Sequence, residues 1–228
     1  MNARLLKWLT LADATLLPVY VLLFIWRLQL YARWSWTIIL VWVVASFLLH
    51  RDTPKTLGWR ADNLWPATKQ AILVLGAMAL GLILSGLALG APRQLPPHLV
   101  RWSRFDGYLA FCVMQQVALN SLFHNRMLSL FGSADAGIAV PLATTSQNLW
   151  RPSFLTGTLF AICHWPNPVL LPLTFIGGTA MAWLFARHRN IIPLAIGQAV
   201  LGALIFWAFP IAWHHHLRVG PGYFILPR

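Results

Sequence analysis

The chain has 228 residues, of which 58% are hydrophobic and only 10% are charged, and 13 of them are Trp. An ordinary water-soluble domain has about 25% charged residues, so this composition excludes that class and favours a bilayer as the surrounding solvent. The formal net charge is +12, but the Lys and Arg fall between the apolar segments, where they would contact anionic headgroups, so no nucleic-acid partner is expected.

Apolar stretches long enough to cross a membrane occupy much of the chain, and those at 71–91, 152–186 and 190–213 carry no charge. A hydrocarbon core of roughly 30 Å needs about 20 helical residues at ~1.5 Å per residue. In chain order, the predicted spans are residues 14–31, 34–49, 71–91, 107–130, 152–186 and 190–213. The run 152–186 is too long for one span, and Pro166-Asn167-Pro168 divides it. Because backbone amides in lipid must be satisfied within helices, we predict an all-α polytopic membrane protein with about seven to eight transmembrane helices. These form a single domain covering residues 1–228.

Several polar side chains fall inside the predicted spans, where a polar group is costly and points to function. Gln116 and Asn120 are four residues apart and share a helix face, and Gln115 lies beside them. His164 and Gln198 occupy later spans. These groups are predicted either to form hydrogen bonds between helices or to converge on one site.

The sequence around the first of these polar residues resembles part of a known protein family. The segment from Gln115 to Arg126 resembles the Glu-Glu-x-x-x-Arg segment of the CAAX prenyl protease and bacteriocin-processing family, known as CPBP or Abi. Here amides replace the charged residues, and the whole chain has no glutamate. Asn120 stands at the position of the arginine.

Two further motifs and the C-terminal tail extend the resemblance over residues 106–226. The stretch from Phe160 to His164 is similar to the family's Phe-x-x-x-His motif. Gln198 and Gly202 align with the family's His-x-x-x-Asn motif, and both polar positions differ. The segment ending at Tyr223 resembles the ending of bacterial members, so we expect an integral protein of the bacterial inner membrane.

The resemblance implies a protease site in which the first glutamate activates water. The histidines at the His164 and Gln198 positions and the asparagine at the Gly202 position complete that site, and members are described as metalloproteases or glutamate-dependent proteases. An amide has no lone pair that accepts a proton near neutral pH, and zinc needs about three imidazole, carboxylate or thiolate ligands. Only His164 remains of the expected set. We therefore expect no cofactor, and zinc only if the chain is an active protease.

These substitutions predict a CPBP-like membrane protein with a decayed catalytic site. Its expected role is non-catalytic binding, as a scaffold or a subunit of a membrane complex. The expected partners are membrane lipids and either other membrane protein chains or a hydrophobic ligand. The alternative is an active intramembrane endopeptidase that processes C-terminal or membrane-anchored peptides with His164 as its base. A small transporter is a third hypothesis, disfavoured because paired intramembrane charges are not evident.

The remaining titratable and thiol groups are interpreted structurally. Asp13 and Asp106 are predicted to cap the helices that begin beside them. His124 and the solvated tract His214-His215-His216 are not predicted to bind a metal, because adjacent histidines point in different directions. Cys112 and Cys163 fall inside spans and are predicted to be packed thiols.

Overall fold

The computed structural model describes residues 2–90, 102–131 and 149–225, and these residues form helices and connections without any β-strand. The all-α prediction is confirmed. In chain order the helices are α1 (Ala3–Leu23, continued by the π-helical Phe24–Leu28 and by Gln29–Tyr31), α2 (Trp36–His50), α3 (Leu64–Leu89), α4 (Trp102–Gln116, the π-helical Val117–His124 and Asn125–Phe131), α5 (Trp150–Ile162), α6 (Leu170–His188), α7 (Ile192–Ala208), α8 (Ile211–His214) and α9 (Gly222–Ile225).

Four helical segments of the described chain are long and apolar enough to cross a membrane. These are Arg4–Tyr31, Arg33–His50, Leu64–Leu89 and Leu170–His188. The predicted count of about seven to eight is not confirmed. The helix α5 has only 13 residues, which rise about 20 Å and fall short of a core of roughly 30 Å.

The break predicted at Pro166-Asn167-Pro168 separates α5 from α6. The Asn167 side chain caps α6, since its Oδ1 accepts hydrogen bonds from the backbone N–H groups of Val169 (3.2 Å) and Leu170 (3.0 Å). Its Nδ2 donates to the backbone oxygens of His214 (2.7 Å) and Arg218 (3.1 Å). One asparagine therefore starts α6 and holds the C-terminal segment against it.

Glycines permit the closest helix contacts. The helices α5 and α6 form an antiparallel hairpin in which a Cβ on Gly157 would lie 2.7 Å from the Phe175 carbonyl oxygen. A Cβ on Gly178 would lie 3.0 Å from Cδ1 of Phe160. The helix α7 packs against α3 and α4, and Gly86 of α3 lies against Ala208.

The π-helical segment of α4 lies at the centre of the bundle. It contacts α1, α2, α5 and α6, and every residue from Leu119 to Leu128 is buried. From Leu119 onwards, the side chains on all sides of this segment therefore meet protein. A π-helical stretch inside an α-helix often marks a functional position, and here it includes Asn120.

The connection 51–63 and the turn after α6 lie at the same end of the bundle. The Ile191 N–H donates to the Gly58 carbonyl (3.0 Å), and Nδ2 of Asn190 donates to the Arg60 carbonyl (2.8 Å). Gly58 has a φ of +87°, and a Cβ there would lie 2.6 Å from the Phe185 ring. Thr10 of α1 contacts His50 at the end of α2, which places the start of α1 at this end as well.

Candidate functional site

Four amide side chains form one continuous chain of hydrogen bonds between α4 and α7. Asn120 Nδ2 donates to Gln116 Oε1 (2.5 Å), Gln116 Nε2 donates to Gln198 Oε1 (2.6 Å), and Gln198 Nε2 donates to Gln115 Oε1 (2.5 Å). We refer to these four residues as the amide chain. The structure brings together Gln115, Gln116, Asn120 and Gln198, which the sequence had placed on two distant spans.

The hydrogen bonds of the amide chain require side chains that both donate and accept. Gln116 both donates to Gln198 and accepts from Asn120, and its Nε2 also contacts the sulfur of Met181 at 3.2 Å. A carboxylate accepts hydrogen bonds but donates none. Gln116 and Asn120 are completely buried and Gln198 is 9% exposed, so these groups bond to one another in place of water.

The position aligned with the family's asparagine is filled from another helix. Gly202 of α7 faces Tyr108 of α4, whose hydroxyl occupies the space that a side chain at residue 202 would enter. The phenol thus takes the volume of the missing side chain. An asparagine at this position would require Tyr108 to move.

His164 does not join the amide chain through any hydrogen bond among the described residues. It lies just beyond the end of α5, where its Nδ1 donates to the Phe160 carbonyl at 2.6 Å and its ring packs edge-on against the Phe160 ring at 4.6 Å. Because Nδ1 carries the proton in this bond, the neutral imidazole has its lone pair on Nε2.

A small apolar cavity of about 170 Å³ adjoins the amide chain. It lies between α1, α2, α4 and α5, and side chains of Leu17, Leu122, Phe160 and Cys163 contribute to its wall. Gln115 is the amide-chain member that borders it. Both cysteines are free thiols, as predicted, but Cys163 faces this cavity whereas Cys112 is completely buried.

The side chains at the family positions do not fit the zinc ion that the family resemblance implies. The donors near α4 and α7 are neutral amides already bonded to one another, and amides are not zinc's preferred ligands. No group of three or more His, Cys, Asp or Glu side chains close enough to hold a metal occurs in the described parts of the chain.

Two buried acceptors beside the amide chain have no hydrogen-bond partner within the described structure, namely Asn120 Oδ1 and His124 Nε2. His124 is completely buried one turn beyond Asn120. Its Nδ1 lies 2.9 Å from Thr156 Oγ1, which itself donates to the Pro152 carbonyl at 2.8 Å. The threonine therefore accepts from Nδ1, which leaves the lone pair of the neutral ring on Nε2.

A buried ionic network was missed at the sequence level. Asp13 is 3% exposed in the middle of α1, so its predicted role as a helix cap is wrong, because α1 begins at Ala3. Its carboxylate accepts hydrogen bonds from Arg126 Nε (3.0 Å), Ser46 Oγ (2.5 Å) and Trp42 Nε1 (2.9 Å). The acid thus links α1 to α2 and to the last part of α4.

The same arginine reaches a second acid. Arg126 Nη2 donates to Asp52 at 2.7 Å, just after α2, and Arg126 is only 4% exposed. His50 lies beside the pair, with its Nδ1 3.7 Å from Asp13 Oδ2. The expectation that Arg126 contacts headgroups is wrong, because Arg126 is buried against Asp13 and Asp52. The sequence reading also overlooked that Asp13 and Arg126 form a buried pair of charges.

Two further interpretations need correction. The helix α4 begins at Trp102, so Asp106 lies within its backbone and does not start it; the Asp106 side chain lies outside the described side chains. His214 is completely buried and not solvated, because its Nε2 lies 3.1 Å from the Phe209 carbonyl and its Nδ1 accepts from Leu217 N–H at 3.3 Å.

Comparison with known families gives one match. Residues 135–209 match the family model described as type II CAAX prenyl endopeptidase, Rce1-like. The matched segment includes His164, Gln198 and Gly202, and the resemblance to the CPBP family is thereby confirmed over these residues. No curated protein and no solved structure matches the chain.

Proposed function

We propose that this CPBP-like membrane protein is a non-catalytic binding protein, in which the position of the family's protease site holds a neutral amide chain. The observation that carries the proposal is the set of bonds from Asn120 through Gln116 and Gln198 to Gln115. None of these groups accepts a proton near neutral pH. They position α4 against α7 without activating water.

The apolar cavity beside Gln115 supplies the binding element. An apolar cavity of roughly 150 Å³ accommodates a molecule the size of benzene, and this cavity has about 170 Å³. It therefore has room for one bulky apolar side chain or for the end of a hydrocarbon chain, but not for a helix. The proposed occupant is such a group, presented by a partner within the membrane.

Cys163 allows occupancy of this cavity to be measured. A thiol reagent with a hydrocarbon tail should alkylate Cys163 and spare Cys112, which is the internal control because it is completely buried. Replacing Ala118, which also borders the cavity, with Phe should slow the alkylation of Cys163. A co-purifying partner should protect Cys163, and Ala118→Phe should abolish that partner's retention. Equal alkylation with and without the partner, or full retention by Ala118→Phe, would remove the support for this site.

The alternative function, an intramembrane endopeptidase, draws on one observation. The bond from His164 Nδ1 to the Phe160 carbonyl orients the imidazole in the way expected of a base that uses its Nε2. His164→Gln separates the two hypotheses, because glutamine preserves a hydrogen-bonding side chain but has no basicity. Binding should survive this change, whereas catalysis by His164 should not.

A further inference from the structure

A second apolar depression, separate from the cavity at Cys163, has aromatic walls. It has a volume of about 460 Å³ and lies between α3, α5 and α6. We call it the aromatic groove; its walls include Val74, Trp150, Phe154, Phe175, Ile176 and Trp183. The Trp150 and Trp183 rings stack at 6.0 Å with an angle of 20°, and the Phe154 and Phe175 rings meet at 5.6 Å.

One end of the aromatic groove is surrounded by cations. The Arg187 guanidinium lies 4.8 Å from the centre of the Trp183 ring, and the exposed Arg151 follows Trp150 in sequence. Lys69 lies over Trp65 near the start of α3. Gln70 of α3 contacts His188 at the end of α6, so these basic groups share one end of the bundle.

These cations have no protein counter-ion in the described parts of the chain. Every ion pair formed there involves Asp13, Asp52 or Asp62, and these acids pair with His50, Arg60 and Arg126. The aromatic groove therefore joins an apolar surface to positive charge that no acid in the described ranges balances. An amphiphile with one hydrocarbon chain in the groove and a negative group at its end matches both features.

We propose that the aromatic groove binds one anionic phospholipid of the surrounding bilayer, with an acyl chain between the aromatic walls and its phosphate at Arg151 and Arg187. Clusters of basic residues at one end of a space between transmembrane helices can bind such headgroups. The indole rings hold the acyl chain by dispersion contacts along its length. A zwitterionic lipid fits the apolar part equally well but brings no net negative charge, so headgroup preference is the signature of this site.

The experiment compares two lipids with identical acyl chains. The full-length protein, purified in detergent, is incubated with an equimolar mixture of phosphatidylglycerol and phosphatidylcholine, and retained lipid is counted by native mass spectrometry. We expect one tightly retained phosphatidylglycerol per chain. Since each Lys or Arg near an anionic surface contributes about fivefold in binding, replacing both Arg151 and Arg187 with Gln should reduce the preference by about 25-fold.

A matched control removes the same charge elsewhere. Arg27 and Arg33 are exposed at the opposite end of the bundle, and their double replacement with Gln should leave the preference unchanged. Ala180→Phe, which places a ring in the groove, should abolish retention of both lipids while the protein remains monodisperse.

Three outcomes would overturn the proposal. These are equal retention of the two lipids by the unmodified chain, an equal effect of the two arginine double variants, and undiminished retention by monodisperse Ala180→Phe. If Ala180→Phe does not fold, the arginine variants still decide the question. The cavity at Cys163 is separate, so neither set of variants is expected to change its alkylation.

Discussion

The hydroxyl of Tyr108 lies where a side chain on Gly202 would extend, so α4 fills a position that the family resemblance assigns to an asparagine on α7. Gly202→Ala should therefore destabilise the protein by about 1–3 kcal/mol, as overpacking does in a close-packed interior. Thermal unfolding of the purified protein in detergent measures the loss.

Tyr108→Phe removes the hydroxyl that the new methyl group would meet. In that background Gly202→Ala should cost clearly less, so the two changes should be non-additive. Gly76→Ala serves as the control, because a Cβ there meets no atom within 4 Å. Strictly additive effects would show that the hydroxyl does not occupy this space.

The amide chain predicts different costs for glutamate at two adjacent positions. Gln116→Glu removes the donations to Gln198 and Met181 and places an acid at a completely buried position. Gln115 only accepts within the amide chain and borders the cavity. We expect Gln116→Glu to destabilise by several kcal/mol and Gln115→Glu by less.

Chemical denaturation of the two variants beside the unmodified protein measures the difference. Neither single glutamate should produce proteolysis, because amides still stand at Gln198 and Asn120, where the family resemblance implies a histidine and an arginine. A larger loss of stability for Gln115→Glu would contradict the direction of donation. Proteolysis by either single variant would show that the catalytic architecture persists.

The pair of Asp13 and Arg126 should be one of the strongest connections between α1 and α4. Arg126→Gln should cost about 3–5 kcal/mol, because it leaves the buried carboxylate of Asp13 without its arginine. Asp13→Asn should cost less, because Arg126 still pairs with Asp52. The double variant should cost less than the sum of the two. A cycle of unfolding measurements gives the coupling.

The pair of Arg60 and the exposed Asp62 is the control. Asp62→Asn should produce only a small change that disappears at high salt, because surface ion pairs are screened. Equal effects for Asp13→Asn and Asp62→Asn would mean that the buried pair does not hold the helices together.

Two glycines of the α5–α6 hairpin, one on each helix, should differ in how much a methyl group added at each changes stability. Gly157→Ala would place a Cβ 2.7 Å from the Phe175 carbonyl oxygen, whereas Gly177→Ala would meet only Met78 at 3.6 Å. We expect Gly157→Ala to lower the melting temperature by several degrees. Gly177→Ala should be neutral or slightly stabilising, and similar shifts for both would contradict the close helix contact.

The sequence was sufficient for the helical class, for the break at Pro166-Asn167-Pro168 and for the shared face of Gln116 and Asn120. These features depend on local patterns of hydropathy, backbone restriction and helical spacing. The hydrogen bonds between Gln198 and this face are tertiary contacts. The family resemblance suggested them, but residue spacing alone does not predict them.

The ionic network was missed for a physical reason. Asp13 and Arg126 are 113 residues apart along the chain, and each lies close enough to a predicted span end to resemble a cap or a headgroup contact. A signal was nevertheless present, because Trp42, Ser46 and His50 recur every four residues on one face of α2. A polar stripe of this kind opposite an acid in another span indicates a buried partner.

The count of about seven to eight spans is not confirmed, and it rests on hydropathy, which measures apolar character and not helix length. The apolar run 152–186 predicts two crossings, but α5 ends at Ile162 where the chain turns towards Asn167. The cavity and the aromatic groove arise from packing between helices distant in sequence, which periodicity does not reveal.

The most direct test of a non-catalytic site is a cleavage assay with membrane-anchored peptides, using the purified full-length chain in lipid nanodiscs beside its His164→Ala variant. The neutral amide chain predicts that neither protein cleaves any of the peptides, with or without added zinc. Cleavage by the unmodified chain that disappears in His164→Ala would contradict this account and establish an imidazole-dependent protease.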